Sequence, residues 1–172
     1  MHSKQWVWTK SGGWPVIEVG PSAPSIVLVF GGREALEAGD ALAALARHVP
    51  RELLFGCSTA GEIAGSSVHD GAVVATALWL ERSTIVATCA GLNEAPDTTA
   101  LGRLLAQRLP GSDLVHALVF SDGTQINGSE LVRGLIAGLP RDATLSGGLS
   151  GDGVDMKRTV VVHAGSVKSG CV

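Results

Sequence analysis

Clustered cations are missing from this chain: its 13 lysines and arginines are scattered over 172 residues and outnumbered by 16 acids, for a net charge of -3. A surface that binds DNA or RNA needs a positive footprint, so nucleic acid is not expected as a partner. Cysteine is scarce as well. Cys57, Cys89 and Cys171 are an odd number without metal-ligand or disulfide spacing, and the start of the chain has no basic stretch leading into an apolar signal core. A reduced, cytoplasmic protein is the expectation. The longest apolar run, Gly71 to Leu80, is about half of what a membrane-spanning helix needs, so no membrane partner is expected either. No lysine follows the glycines as in a phosphate loop, and the three-glycine dinucleotide spacing is absent. There is no Gly-x-Ser-x-Gly elbow, and His2, His48, His69, His116 and His163 show no two-histidine metal spacing. These absences point away from an enzyme and from a bound metal. The enzymatic alternative is Cys57 as a nucleophile, activated by nearby amides or by His69 on the following loop.

What the chain does contain is enough apolar material for a full core in one domain, 45% hydrophobic residues against 17% charged ones. It also carries one passage twice. Leu28, Val29, Phe30, Leu45, Pro50, Arg51 and Gly61 recur as Leu118, Val119, Phe120, Leu135, Pro140, Arg141 and Gly151, at a constant offset of 90 residues and without a gap. Each copy reads as strand, helix, short strand and a glycine-rich turn closing on a carboxylate, Glu62 in the first and Asp152 in the second.

The organisation follows from the patterning. Residues 1–24 are polar and rich in Gly, Pro and Ser, with Trp6, Trp8 and Trp14 as their bulky side chains, and form either a loosely docked arm or an edge strand. Residues 25–172 form the domain. In the first copy Ser25 to Phe30 is a buried strand, Glu34 to Val49 a helix stopped by Pro50, and Leu53 to Phe55 a second strand. Gly71 to Leu80 and Ser83 to Ala90, separated by Glu81-Arg82, have the β-branched character of an antiparallel hairpin. Asp97 caps a helix running to Leu109. The second copy has its strand at His116 to Phe120, its helix at Asn127 to Leu139 with Leu131, Val132, Leu135 and Ile136 inward, and a short strand at Thr144 to Leu145. Thr159 to His163 is expected to be the counterpart of the strand beginning at Gly71. Gly165 to Val172 reads as a turn leading into another strand, as in the front part of a longer protein. The predicted fold is α/β: mixed sheet or sheets covered by helices, built from two pseudo-symmetric β-α-β units with an inserted antiparallel hairpin.

Both glycine-rich turns follow strands directly, at the sheet end where crevices form. Cys57, Ser58, Thr59 and Glu62 from the first, Gly147, Gly148, Ser150 and Asp152 from the second, and Ser121, Asp122, Gly123 and Asn127 beside them are the candidate ligand contacts. Amides and hydroxyls would hold a polar group, and the two acids would favour an amino group or another cation. Amino acids suit that chemistry. The competing expectation is that the carboxylates only accept bonds from neighbouring backbone amides.

These motifs resemble the FIST family, named for F-box proteins and intracellular signal transduction. The resemblance covers about residues 24 to 170 and rests on G-C-S-T-A-G-E-I at Gly56 to Ile63, F-S-D-G at Phe120 to Gly123, N-G-S-E-L at Asn127 to Leu131 and G-G-L-S-G-D at Gly147 to Asp152. It implies a cytoplasmic sensory domain that binds a small molecule such as an amino acid. Its partners would be a companion C-terminal domain or a signalling output protein. No cofactor is implied as a rule, although haem and nitric oxide sensing in some relatives leaves haem as the alternative.

Overall fold

The structure, a computed structural model, describes residues 1–111 and 113–172. Among the described residues ten strands and four α-helices follow in chain order. They are β1 (His2–Trp8), β2 (Ile26–Gly31), α1 (Arg33–Ala38), α2 (Asp40–Leu45), β3 (Leu54–Ser58), β4 (Glu62–Ala64), β5 (Ser67–His69) and β6 (Val73–Trp79). Then come α3 (Thr98–Arg108), β7 (His116–Ser121), α4 (Gly128–Gly138), β8 (Thr144–Leu149), β9 (Val161–His163) and β10 (Ser166–Lys168). The expected α/β class with mixed sheets is what forms.

The main sheet has the order β1-β6-β2-β3-β9-β10. Within it β2 and β3 are parallel, as a β-α-β unit requires, and the remaining pairs are antiparallel. One face carries Val27, Val29, Val73, Ala75 and Ala77 against Leu36, Leu42 and Leu45 of α1 and α2, all buried. The second unit also has its parallel pair, β7 with β8, but these two strands make a separate sheet. Beneath it α3 and α4 lie close together because Gly102 and Gly134 carry no side chain: a Cβ on Gly134 would stand 2.1 Å from the Thr99 carbonyl oxygen. Asp97 and Asn127 cap these helices as expected, accepting from Ala100 N and from Ser129 and Glu130 N.

The N-terminal residues take the edge-strand option. β1 pairs with β6 over its full length, Trp6 enters the core and the Trp14 indole donates to the Ala41 carbonyl. This pairing overturns the expected Gly71–Ala90 hairpin. Both edges of β6 are occupied, by β1 and β2, so Ser83–Ala90 finds no free edge on it: residues 83–89 run without strand pairing, exposed from Ser83 to Ala87, and Ala90 bonds Val172 instead. The helix expected over Glu34 to Val49 is broken by Gly39, whose φ of 82° ends α1. Val132 and Ile136 are not inward: they are 42% and 64% exposed, whereas Leu131 and Leu135 are buried.

The two units share several local placements, but not in the expected register. Leu45 and Leu135 are both buried, and Phe30 and Phe120 meet edge to face with ring centroids 5.5 Å apart. Yet Gly56 lies under the Val29 carbonyl as Gly147 lies under that of Val119, and Thr59 N bonds Gly31 O as Ser150 N bonds Ser121 O. The second strand of the second copy is therefore offset by one further residue, and the register is not free of gaps. Gly61 and Gly151 lose their equivalence, and so do Glu62 and Asp152. Thr159 to His163 is likewise not the counterpart of β6, since β9 pairs with β3 in the first sheet. Cys171 instead accepts from Asp122 N as Ala72 accepts from Gly32 N.

Candidate functional site

The two glycine-rich turns do approach each other, and they do so by direct contact. Gly151 N donates to Ser58 O at 2.8 Å, and a Cβ on Gly151 would stand 2.9 Å from Ala60 N. Ser150 closes onto Ser121, its N and Oγ both donating to the Ser121 carbonyl at 2.8 Å. Gly123 lies so near Ser150 that a Cβ would come within 2.1 Å of its carbonyl oxygen. Most of the polar groups at this junction are consumed internally. Ser58 Oγ accepts from Val160 N; Glu62 accepts from the Thr59 hydroxyl at 2.6 Å and from Ala72 N at 3.1 Å.

The acids are not a matched pair for an incoming cation. Asp152 accepts from Arg33 Nε at 2.5 Å and from the amides of Lys157 and Arg158 at 2.8 and 3.1 Å. Desolvation opposes its charge, but the Arg158 amide, the Arg33 guanidinium and the Lys157 amide hold its carboxyl below the ordinary value. Asp122 is fully buried and organises its own loop. Burial would raise its carboxyl, yet the amides of Gly170, Thr124 and Gln125 and the Thr124 hydroxyl bring it down to about 2. Asn127 is spent as the α4 cap.

Cys57 faces the same junction. It is 5% exposed, and burial pushes its thiol up to about 11 against a smaller opposing contribution from Ser150. His69 lies across from Glu62 in the β4–β5 hairpin. A buried thiol held in its neutral form is a poor nucleophile.

Three of the twelve expected contacts lie elsewhere as a group. Ser121, Gly147 and Gly148 help line a cleft of about 370 Å³ between β7, β8 and α4, walled by Leu131, Val132, Leu135, Ile136, Leu145 and Leu149. Beyond β7, β8 pairs with no other strand among the described residues, so the outer edge at Gly147 and Gly148 offers backbone N–H and C=O groups. This apolar wall was not read from the sequence, which assigned Val132 and Ile136 to the core. A second, open groove of about 610 Å³ has a polar lining that includes Lys10, His69 and Asp70.

Haem does not fit either place. The apolar cleft has no histidine in its lining, while the groove holding His69 has hydroxyls and charges where a porphyrin needs apolar walls. Both ring nitrogens of His116 are engaged by Thr144 and Ser146 hydroxyls, and His163 is packed edge to face against Phe55. Among the described residues no group of three or more His, Cys, Asp or Glu could hold a metal ion.

Strand order, paired β-α-β units and the junction of their glycine-rich turns define an α/β domain of mixed sheets. Residues 25–172 match the family model of the FIST N domain, and the chain belongs to the FIST family. That family is one of sensory domains in signal transduction, not of enzymes. No curated protein and no solved structure matches the chain. Among the described residues no helix is long and apolar enough to cross a membrane.

Proposed function

We propose that this chain is a cytoplasmic sensory domain that recognises a small metabolite with an apolar body and one polar end, amino acids with apolar side chains among them. The observation that carries this reading is the cleft of about 370 Å³ in the second unit, where an apolar wall stands beside backbone groups at Gly147 and Gly148. The volume is that of a small-ligand pocket, and the glycines allow the ligand to approach the main chain. Ser58, Glu62, Asp122 and Asp152 then act as the frame that holds the two units together beside the cleft. Binding would bias the packing of β7–β8 on α4, and a companion C-terminal domain or an output protein would read the change.

A thermal-shift screen of amino acids and related metabolites tests the proposal, since a ligand at 100 times its dissociation constant stabilises by about 2.7 kcal/mol. A shift lost in Leu149→Glu, at a half-exposed position of the wall, is the expected outcome. No shift with any compound class, or one that survives Leu149→Glu, counts against the cleft.

A second reading has its own observation. Val132, Ile136 and Leu149, which line the cleft together, are 42%, 64% and 50% exposed, and contiguous exposed apolar side chains mark interaction surfaces. An interaction module would use this face. The tryptophan arm is unavailable for that role, because Trp6 is buried and Trp8 and Trp14 pack against the core.

A further inference from the structure

Cys89 and Cys171, which lie 82 positions apart and show no spacing signal, are brought together by the fold. Ala90 and Val172 exchange backbone hydrogen bonds of 3.1 and 3.0 Å, Leu92 N donates to Gly170 O at 2.9 Å, and Gly91 therefore stands opposite Cys171. Residues two apart in extended chain share a face, which puts Cys89 on the face of Gly91 and makes it the diagonal neighbour of Cys171. Gly91 has no side chain to separate them. Lys168 Nζ donates to Cys89 Sγ at 3.7 Å. Cys171 is buried, while Cys89 is partly open to solvent.

We propose that Cys89 and Cys171 are a peroxide-responsive thiol pair, in which Cys89 takes up the oxidising equivalent and Cys171 resolves it as an intramolecular disulfide. The Cys89 thiolate attacks a hydroperoxide: an S–O bond forms, the O–O bond breaks, and the departing hydroxide is protonated to water. Sulfur is oxidised to a sulfenic acid and the peroxide is reduced. The Cys171 sulfur then attacks that of Cys89, forming S–S and breaking S–O, while its own proton leaves with the hydroxide as a second water. Two thiols and one hydrogen peroxide give one disulfide and two waters.

The surroundings suit each thiol to its part. The Cys171 thiol is the largest influence bringing Cys89 down to about 6, Lys168 adds to it, and burial and Glu94 oppose it. Glu94 is itself held by Arg108, which also donates to the Cys89 carbonyl. Cys171 is pushed up by Cys89, by burial and, less, by Asp122. Cys89, the more open thiol and the one bonded by Lys168, is placed to attack, and the buried Cys171 to resolve. Cys57, buried at the turn junction, is the internal control.

The test treats the 172-residue protein at neutral pH with hydrogen peroxide and follows intact mass and non-reduced peptide maps. Expected are loss of the mass of two hydrogens, a Cys89–Cys171 cross-link and an unmodified Cys57. Cys171→Ser should accumulate a sulfenic acid at Cys89 that dimedone traps, and Cys89→Ser should lose no mass. Alkylation of Cys89 should level off at a lower pH than that of a free thiol, which climbs toward about 8.5. Lys168→Gln should move that midpoint upward and Lys168→Arg restore it. Absolute rate is a weaker readout, because a lower pKa also lowers nucleophilicity. Cross-linking between chains only, first oxidation at Cys57, or a Cys89 profile like that of a free thiol would overturn the proposal. The wild-type mass and pH profile decide it even if a Cys171 variant does not fold.

Discussion

The first β-α-β unit sits inside a six-stranded sheet with a neighbour on each side, whereas the second is left as two strands with an open edge. The same sequence pattern therefore meets two different environments. Position by position the contrast is clearest on the helices: Leu42 in α2 is 3% exposed, and Val132, its counterpart in α4, is 42% exposed. Burial at a repeated position depends on what packs against it, and here the first unit has recruited β1, β6 and β9 as neighbours that the second lacks. The less completed unit is the one that carries the cleft with an apolar wall.

The largest expected effect tests the shared element of the two units. Gly56→Ala would put a Cβ 1.8 Å from the Val29 carbonyl oxygen in the middle of the main sheet, and we expect a loss of more than about 4 kcal/mol in urea unfolding. Gly147→Ala makes the same clash at 1.9 Å, but β8 can yield toward its free edge and the loss should be nearer 1–3 kcal/mol. Equal losses would break the contrast.

Next in size are the core leucines. Leu45→Ala and Leu135→Ala each empty a buried position, at a cost of about 2–5 kcal/mol, with Leu135 toward the lower end because its surroundings open into the cleft. Leu42→Ser should be nearly as damaging as Leu45→Ala. Val132→Ser should stay within about 0.5 kcal/mol, and a larger loss would show that the α4 face is covered in solution.

Asp122 offers a pH test located in the second unit alone, since Gly32 holds the corresponding place in the first. Its carboxyl is lowered from 3.8 to about 2, so the folded state binds its proton less readily than the unfolded state. The stabilisation is complete above the ordinary value and is lost as pH falls from about 4 through about 2, roughly 2 kcal/mol in all. Asp122→Asn should flatten that part of the curve in urea midpoints measured from pH 5 downward. The smallest effect is expected in exchange kinetics: amides of β7 should exchange faster than those of β2, because β7 has one strand neighbour and β2 has two.

Local chemistry was legible where it depends on neighbours in the chain. Asp97 and Asn127 read as caps because a short acceptor side chain before a helical run has one good use, and the parallel pairs within each unit follow from strand, helix and strand in close succession. Gly39 was misread, since a glycine in an apolar-periodic stretch gives little warning that it will adopt a left-handed φ. The turns were rightly placed together, yet their hydroxyls and acids proved to be bonded to each other and to the main chain. A list of polar residues around glycines looks the same whether it cradles a ligand or ties two units together.

Periodicity, caps and an internal repeat are local or pairwise in register, so the order of residues is enough to specify the α/β class and the twofold plan. Partner choice between strands is a competition over distance. That β1 takes the edge of β6, leaving residues 83–89 unpaired, or that Gly91 comes to face Cys171 with Cys89 beside it, depends on which surfaces reach each other first and bury the most, and no property of either segment alone encodes it. The one-residue slip between the copies is of the same kind: it appears only when Gly147 is seen beneath Val119, because close approach of two backbones is a property of the packed molecule.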